Sequence, residues 1–239
     1  MITRMKKLYI LIPAFNEEKS ITSVINSIPT YSNLEKFVVV IDDGSSDHTL
    51  VNAKNAGATV LSNKQNLGLG TTLKKGLENA INNSADIIVI LDGDGQYKST
   101  HISELIFPLL NNDADMIIGN RFNYRYCSSF LKKEVNKFIS IFVSQILLRA
   151  KIIYDVQSSY RGFNRKLASF LLKELKGNYN YSQEMFMLAY MNKFKIKQVP
   201  VRCFKRLNGS SRLIKNPLIH VFKIIKISLI TYFQQKYLK

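Results

Sequence analysis

The sequence predicts an α/β fold: a mostly parallel, Rossmann-like sheet with flanking helices, extended by amphipathic helices toward the C-terminal end. Three observations predict it. Short apolar runs alternate with amphipathic segments through the first half of the chain, the rhythm of βα units. Two of those runs end in acidic, glycine-containing turns, "DDGSSD" and "DGDGQ", where open α/β sheets place their ligands. No repeat, low-complexity tract or Gly/Ser linker marks a domain boundary before about residue 125.

The elements follow in order. Leu8–Ile12 reads as the first strand. The stretch "MITRMKKLYILIPAFNEE" carries basic residues and a short apolar run, but Pro13, Asn16 and two glutamates follow where a leader would have a small-residue cleavage site. Further strands are predicted at Phe37–Ile41, Thr59–Leu61, Ile87–Leu91 and Met116–Ile118, with helices over Glu17–Ile28, Asp47–Ala56, Leu69–Asn83 and Thr100–Leu110. Ser45 or Ser46 can cap the second helix, and Asp47 complements its dipole. Beyond residue 125 the rhythm changes. Residues 130 to 153 and 216 to 238 are long, helical in period and rich in Phe, Ile, Leu and Lys.

Composition narrows the partners. Lys and Arg number 34 against 17 Asp and Glu, a formal net charge of +17, so the surface attracts phosphates, nucleic acid or anionic lipid. A lysine-rich composition can also be a habit of the lineage. Cys127 and Cys203 are too few for a disulfide framework, and three scattered histidines make no zinc pattern, which points to a reducing, cytoplasmic setting. No RRM, KH or helix-turn-helix pattern accompanies the charge, and an acidic crevice repels nucleic acid, so no nucleic-acid partner is expected.

The acidic turns carry the chemistry. Asp42 and Asp43 follow one strand, Asp92 and Asp94 another, and carboxylates gathered at a sheet edge either shift a pKa or require a cation. Mg²⁺ is held by one or two carboxylates plus substrate phosphates, and Asp92, Asp94 and the amide oxygen of Gln96 offer oxygen donors on one loop. Gly93 and Gly95 let that loop turn tightly. "NLGLG", residues 66 to 70, reads either as a plain helix cap or as a phosphate cradle.

"LIPAFNEE", "VVVIDDGSSDHT", "NLGLG", "VILDGDGQ" and "IIGNRF", in this order, resemble the family 2 inverting glycosyltransferases of GT-A fold. "DVQSSYRGFNR", "YSQEM" and "VPVRCFKRLNGSSRL" resemble, more narrowly, the polyprenyl-phosphate glycosyltransferases of the dolichol-phosphate mannose synthase group. The resemblance covers residues 7 to 213. It implies a catalytic domain over 1–213, with an amphipathic, interfacial helix at 130–153, and a C-terminal basic amphipathic helix at 214–239. It also implies that Pro13, Ala14, Asn16, Glu17, Asp42 and Asp43 border the nucleoside. Asp92, Asp94 and Gln96 would hold Mg²⁺ or Mn²⁺ on the donor diphosphate. The chain departs from the processive synthases, whose Gln-x-x-Arg-Trp signature it lacks, having no tryptophan. It departs from the mannose synthases in a shorter segment, "NYRYCSSFLKKEVNK", where Lys132 and Lys133 fall near the expected acceptor arginine.

Inverting transfer needs a nucleophile on one face of the anomeric carbon and a stabilised diphosphate on the other. A metal ion meets the second need. A phosphate monoester, with a second pKa of about 6, is already largely ionised at pH 7 and needs cations to hold it rather than a base. Arg121 with Lys132 or Lys133 is the candidate acceptor site, and Arg206 and Arg212 are candidates to close over the donor diphosphate. A hydroxyl acceptor would need a general base, for which Glu184 is the one late carboxylate; its other reading is an orienting partner. GDP-mannose and UDP-hexoses both fit "DGDGQ" as donor.

The apolar run from Phe138 to Leu148, free of Lys, Arg, Asp and Glu, falls short of the 18 or so residues of a span. "NPLIHVFKIIKISLITYFQQKYLK" mixes aromatic and branched residues with Lys223, Lys226, Lys236 and Lys239, as an interfacial helix does, and Pro217 suits its first turn. A core helix packed on the sheet is the other reading. The sequence thus predicts a metal-dependent transferase of a hexose to polyprenyl phosphate, peripheral at the cytoplasmic face of a membrane. The alternatives are a soluble family 2 transferase acting on a hydroxyl and, more distantly, a basic nucleic-acid-binding protein.

Overall fold

The computed structural model describes residues 4–124, 129–177, 181–206 and 217–237. Seven strands form one sheet in the order β3-β2-β1-β4-β6-β5-β7. The strands are β1 (Lys6–Ala14), β2 (Leu34–Asp42), β3 (Thr59–Ser62), β4 (Ile87–Ile90), β5 (Met116–Asn120), β6 (Arg161–Asn164) and β7 (Ile196–Pro200). All neighbours pair in parallel except at β6, which runs antiparallel to both β4 and β5.

Every residue from Leu8 to Ala14 is buried, as a central parallel strand covered on both faces requires. Successive side chains point to opposite faces, so Leu8, Ile10 and Ile12 join one core while Tyr9 and Leu11 join the other. Helices α1 (Ile21–Asn26), α2 (Thr49–Asn55) and α4 (Ile102–Leu110) cover the first face. Helices α3 (Leu69–Asn82), α6 (Arg165–Glu174) and α7 (Tyr181–Met191) cover the second. In α3, Leu73, Leu77 and Ala80 recur at spacings of three and four, the stripe that faces a core.

The five predicted strands and four predicted helices are all present, with shifted ends. The predicted cap of α2 is corrected. Ser45 instead accepts the Asn16 N–H at 2.9 Å, the Ser46 N–H donates to Asn16 Oδ1 at 2.8 Å, and the helix starts two residues after Asp47. These bonds stitch the turn after β1 to the turn after β2, which fixes the left-handed Asn16 (φ 53°).

The predicted helix at 130–153 is shorter: α5 (Phe130–Ile141) passes into a π-helical turn, Phe142–Leu147. The last helix, α8 (Pro217–Tyr237), packs through Ile224, Ser228 and Thr231, spaced by four and three, and reaches α5 and α7. Phe222, Phe233 and Tyr237 stay exposed on it. One face of this helix packs on neighbouring helices and the other is apolar and open. No helix among the described residues is long and apolar enough to cross a membrane.

Candidate active site

Parallel pairing puts the carboxyl ends of β1, β2, β4 and β5 at one edge, and antiparallel β6 begins there: Arg161 pairs with Ile90 and with Ile118. The turns "DDGSSD" and "DGDGQ", the Asn120–Arg121 corner and the chain entering β6 therefore meet. A cavity of about 300 Å³ opens there, lined by Pro13, Ala14, Glu17, Asp43, Gly68 and Arg206 among others.

The two acidic pairs have different surroundings. Asp42 accepts from Ser62 Oγ at 3.1 Å. Asp43 accepts from Asn63 Nδ2 at 2.9 Å and from the Leu67 and Gly68 N–H groups at 2.9 and 3.0 Å. Two amides of "NLGLG" are thus engaged by Asp43 while the loop walls the cavity. The expectation that four carboxylates repel one another reduces to one pair. Asp92 feels Asp94, and its other charged neighbours are Arg121 and Arg206.

Burial, then the Asp94 charge, push the Asp92 carboxyl up to about 7, against the hydroxyl of Ser159 and the two guanidinium groups, which pull it down. Asp92 is only partly buried, yet the surrounding protein still excludes enough water for desolvation to dominate. Asp94 is buried and accepts from the Gln96 N–H at 2.9 Å, across a turn that Gly95 makes at φ +74°.

Arg206, 112 residues away, arrives because the strand-like tie Tyr97–Cys203 and a bond from the Phe204 N–H to Gln96 O, 2.8 Å, lay its segment along the turn. Its Nη2 lies 2.7 Å from Asp94 Oδ2 and 3.6 Å from Glu17 Oε1. A guanidinium thus stands where the acidic pair requires positive charge. Gln96 Nε2 donates to Phe204 O at 3.1 Å, which fixes the side-chain amide and leaves its oxygen as the acceptor. Two carboxylates and an amide oxygen are a hard donor set suited to Mg²⁺ or Mn²⁺, with positions left for phosphate oxygens and water. No cluster of three His, Cys, Asp or Glu that could hold a metal occurs among the described residues.

Arg121 follows β5, and Asn120 Oδ1 accepts the Phe122 N–H at 2.8 Å to shape the corner. Its Nε and Nη2 donate to the two oxygens of fully buried Asp155, both at 2.7 Å. Lys132 and Lys133 lie in the first turn of α5, with no described hydrogen bond or ion pair to the acidic cluster. Arg212 lies outside the described residues, as do Cys127, Asn216 and Lys239. Glu184, in the first turn of α7, accepts from the Lys176 and Gly177 N–H groups at 2.8 and 2.6 Å. A Cβ at 177 would crowd that carboxylate and oblige the Glu184 side chain to shift. The carboxylate closes the loop between α6 and α7.

Asp155, Ser159 and Arg161 were not among the candidate residues of the sequence. Their signal was present in "DVQSSYRGFNR", an acid, hydroxyls and an arginine crowded before a glycine, but what brings them to the site is the reversed direction of β6.

The shift on Asp92 has a consequence for stability. The folded carboxyl holds its proton to higher pH than the unfolded one, so its contribution is complete below a pH of about 4 and is lost as pH rises through about 7. In EDTA, the melting temperature is expected to fall between pH 5.5 and 8, less steeply in Asp92→Asn, with Mn²⁺ restoring stability at pH 8. An identical pH slope in Asp92→Asn would contradict this.

A Rossmann-like sheet with helices on both faces, carrying an acidic pair beside a cavity at its carboxyl edge, is the GT-A architecture of nucleotide-sugar transferases. Residues 9–172 match Glycosyl transferase family 2, and the chain belongs to that family: it is an enzyme that transfers sugars. The UDP-N-acetylglucosamine–dolichyl-phosphate N-acetylglucosaminyltransferase of Methanococcus voltae is 29% identical over 217 residues, 82% of this chain and 85% of that one. Glycosyltransferase AglJ of Haloferax volcanii is 30% identical over 206 residues, 84% of this chain and 64% of that one. Among solved structures, glucosyl-3-phosphoglycerate synthase from Mycobacterium tuberculosis, in complex with Mn²⁺, UDP and glucosyl-3-phosphoglycerate, superposes with a TM-score of 0.70. The match covers 96% of this chain and 80% of that one, at 23% identity. Family membership sets the nucleic-acid-binding alternative aside.

Proposed function

We propose that the enzyme transfers a hexose or hexosamine, with inversion, from a nucleotide-diphosphate sugar to a polyprenyl phosphate, dolichyl or undecaprenyl, with Mg²⁺ or Mn²⁺ held by Asp92, Asp94 and Gln96. One observation carries the reading: an acidic pair that already draws a guanidinium, at the rim of a cavity lined by Pro13, Ala14, Glu17 and Asp43, with a second guanidinium, Arg121, close enough to act on Asp92. The metal, when bound, neutralises charge developing on the departing diphosphate. Arg206, half-buried at the cavity wall, is the chain's own cation for that diphosphate. Arg121 holds the acceptor phosphate, and no side-chain base is required because that phosphate is ionised near neutrality.

The Methanococcus voltae relative supports dolichyl phosphate as acceptor and a UDP-sugar over GDP-mannose as donor. The engagement of Glu184 with two backbone amides supports a phosphate rather than a hydroxyl acceptor. A screen of radiolabelled UDP- and GDP-sugars with polyprenyl phosphate and Mg²⁺ or Mn²⁺ tests the reading. Label should enter the lipid phase; label entering only water-soluble acceptors would refute the lipid acceptor.

The same reading places the enzyme on the cytoplasmic face of a membrane. The open face of α8 sets the rings of Phe222, Phe233 and Tyr237 beside Lys226, apolar surface next to a cation that suits contact with anionic lipid. Sedimentation with anionic vesicles is expected at low salt, with release at high salt. The double variant Phe222→Ser/Phe233→Ser should bind about tenfold more weakly with an unchanged melting temperature, since both rings are more than half exposed, at 71% and 52%. Undiminished binding would rule this face out as the anchor.

A further inference from the structure

The loop from Asp155 to Ser159 enters β6 from the site edge, and its two ends reach different parts of the site. Asp155, fully buried, takes both guanidinium bonds of Arg121 and also its N–H, at 3.1 Å. Ser159 Oγ donates to Asp92 Oδ2 at 2.5 Å. Between them, fully buried Arg161 donates from Nε to Ser158 O at 2.7 Å and from Nη2 to Val156 O at 2.8 Å. Burying a guanidinium is costly, and here two main-chain carbonyls and the nearby Asp155 charge offset only part of that cost, since Nη1 has no hydrogen-bond partner among the described residues. Clamping two carbonyls of one short segment fixes its backbone. Gln157 Nε2 adds a bond to Gln183 Oε1 of α7 at 2.7 Å, so the segment is held from both sides.

We propose that Asp155 and Ser159 are positioning residues: one buried loop, shaped by Arg161, fixes the acceptor-side cation Arg121 and the metal-side carboxylate Asp92 relative to each other. The proposal rests on the roles given to Arg121 and Asp92 above. In-line displacement needs nucleophile and leaving group in one alignment, and a misplacement of about 1 Å can cost about 100-fold. A free arginine side chain samples many rotamers; its two bonds to Asp155 remove that freedom before substrate arrives. A hydroxyl donating to a metal-binding carboxylate orients it, and losing such a partner typically weakens metal binding by about 10- to 100-fold.

The test compares Ser159→Ala, Asp155→Asn and Arg161→Lys with wild type by three readouts: Mn²⁺ binding by electron paramagnetic resonance with UDP present, acceptor kcat/KM with polyprenyl phosphate, and thermal unfolding. Ser159→Ala should weaken Mn²⁺ binding about tenfold or more. Asp155→Asn should leave Mn²⁺ binding within about twofold and lower acceptor kcat/KM about tenfold or more, and this loss should vanish in an Arg121→Ala background. Arg161→Lys, which keeps the charge but loses the two-carbonyl clamp, should impair both readouts together. Unchanged Mn²⁺ binding in Ser159→Ala, or a loss in Asp155→Asn that adds to that of Arg121→Ala, would overturn the proposal. If Asp155→Asn does not fold, Arg161→Lys decides: impairment of one readout alone, or of neither, overturns the shared loop. Wild type that binds Mn²⁺ but glycosylates no polyprenyl phosphate would refute the acceptor reading and the Asp155 arm with it, while the Mn²⁺ arm still stands or falls by resonance.

Discussion

Asp94→Ala is expected to abolish sugar transfer, by about 1000-fold or more, while the protein still folds. Asp94 is the better placed of the two carboxylates to bear this, because it takes hydrogen bonds both from the turn that shapes the site and from Arg206. Removing it deletes a proposed metal ligand and takes from Arg206 its 2.7 Å ion pair. Losing charge stabilisation of a leaving group at a preorganised site costs on the order of 3 to 4 kcal/mol, or 100- to 1000-fold, and losing the metal costs more. Folding should suffer little, since the truncation removes a like-charge neighbour of Asp92 as well as a hydrogen-bonded partner. Single-turnover transfer and a melting curve measured on the same preparation check both halves. Full turnover in the variant, or in wild type with excess EDTA, would refute the metal role.

The central part of this site was legible because its residues follow strands directly. A run such as "IIVI" leading into "DGDGQ" needs no tertiary information to place Asp92 and Asp94 at a sheet edge, and "VVVI" before "DDGSSD" places Asp42 and Asp43 likewise. What charge alone could not tell was which partner each carboxylate finds. Asp43 looked equivalent to Asp94 in the chain, yet it faces backbone N–H groups of its own neighbouring loop, while Asp94 faces a guanidinium.

The rest was hidden by strand direction and by distance. β6 is four residues, "RGFN", with an arginine and a glycine, too short and polar to read as a central strand; only its pairing between β4 and β5 makes it one. Its antiparallel course brings the preceding residues to the site rather than the following ones, so Asp155 and Ser159 escaped a search made after strand ends. For Glu184 the sequence left two readings open, a base or an orienting partner. A carboxylate before an apolar helical stretch resembles a base, whereas it accepts two amides of the loop before α7.

Arg121 is expected to matter far more than Glu184 for the chemical step. Arg121→Ala should lower single-turnover transfer by about 30- to 1000-fold, the loss of about 2 to 4 kcal/mol that follows removal of a charge-assisted contact. The change also takes both guanidinium bonds from the buried Asp155 carboxylate, leaving it the residue-121 N–H, and losing a buried partner destabilises by up to about 3 to 5 kcal/mol. Arg121→Lys separates these effects: it keeps a cation near Asp155 but loses the planar pair of bonds, so it should fold better than Arg121→Ala and still transfer poorly. Glu184→Gln acts on the loop instead. It places an amide NH₂ against a backbone N–H, so one of two buried acceptor contacts is lost, and the melting temperature should drop by an amount consistent with about 1 to 3 kcal/mol. Transfer per folded molecule should change by less than about threefold. Across pH 5.5 to 8.5, the acceptor's own ionisation near a pH of about 6 should shape the profile of wild type and Glu184→Gln alike. A wild-type profile following one ionisation that Glu184→Gln removes, together with a mild Arg121→Ala, would overturn the phosphate-acceptor mechanism and make Glu184 the base for a hydroxyl.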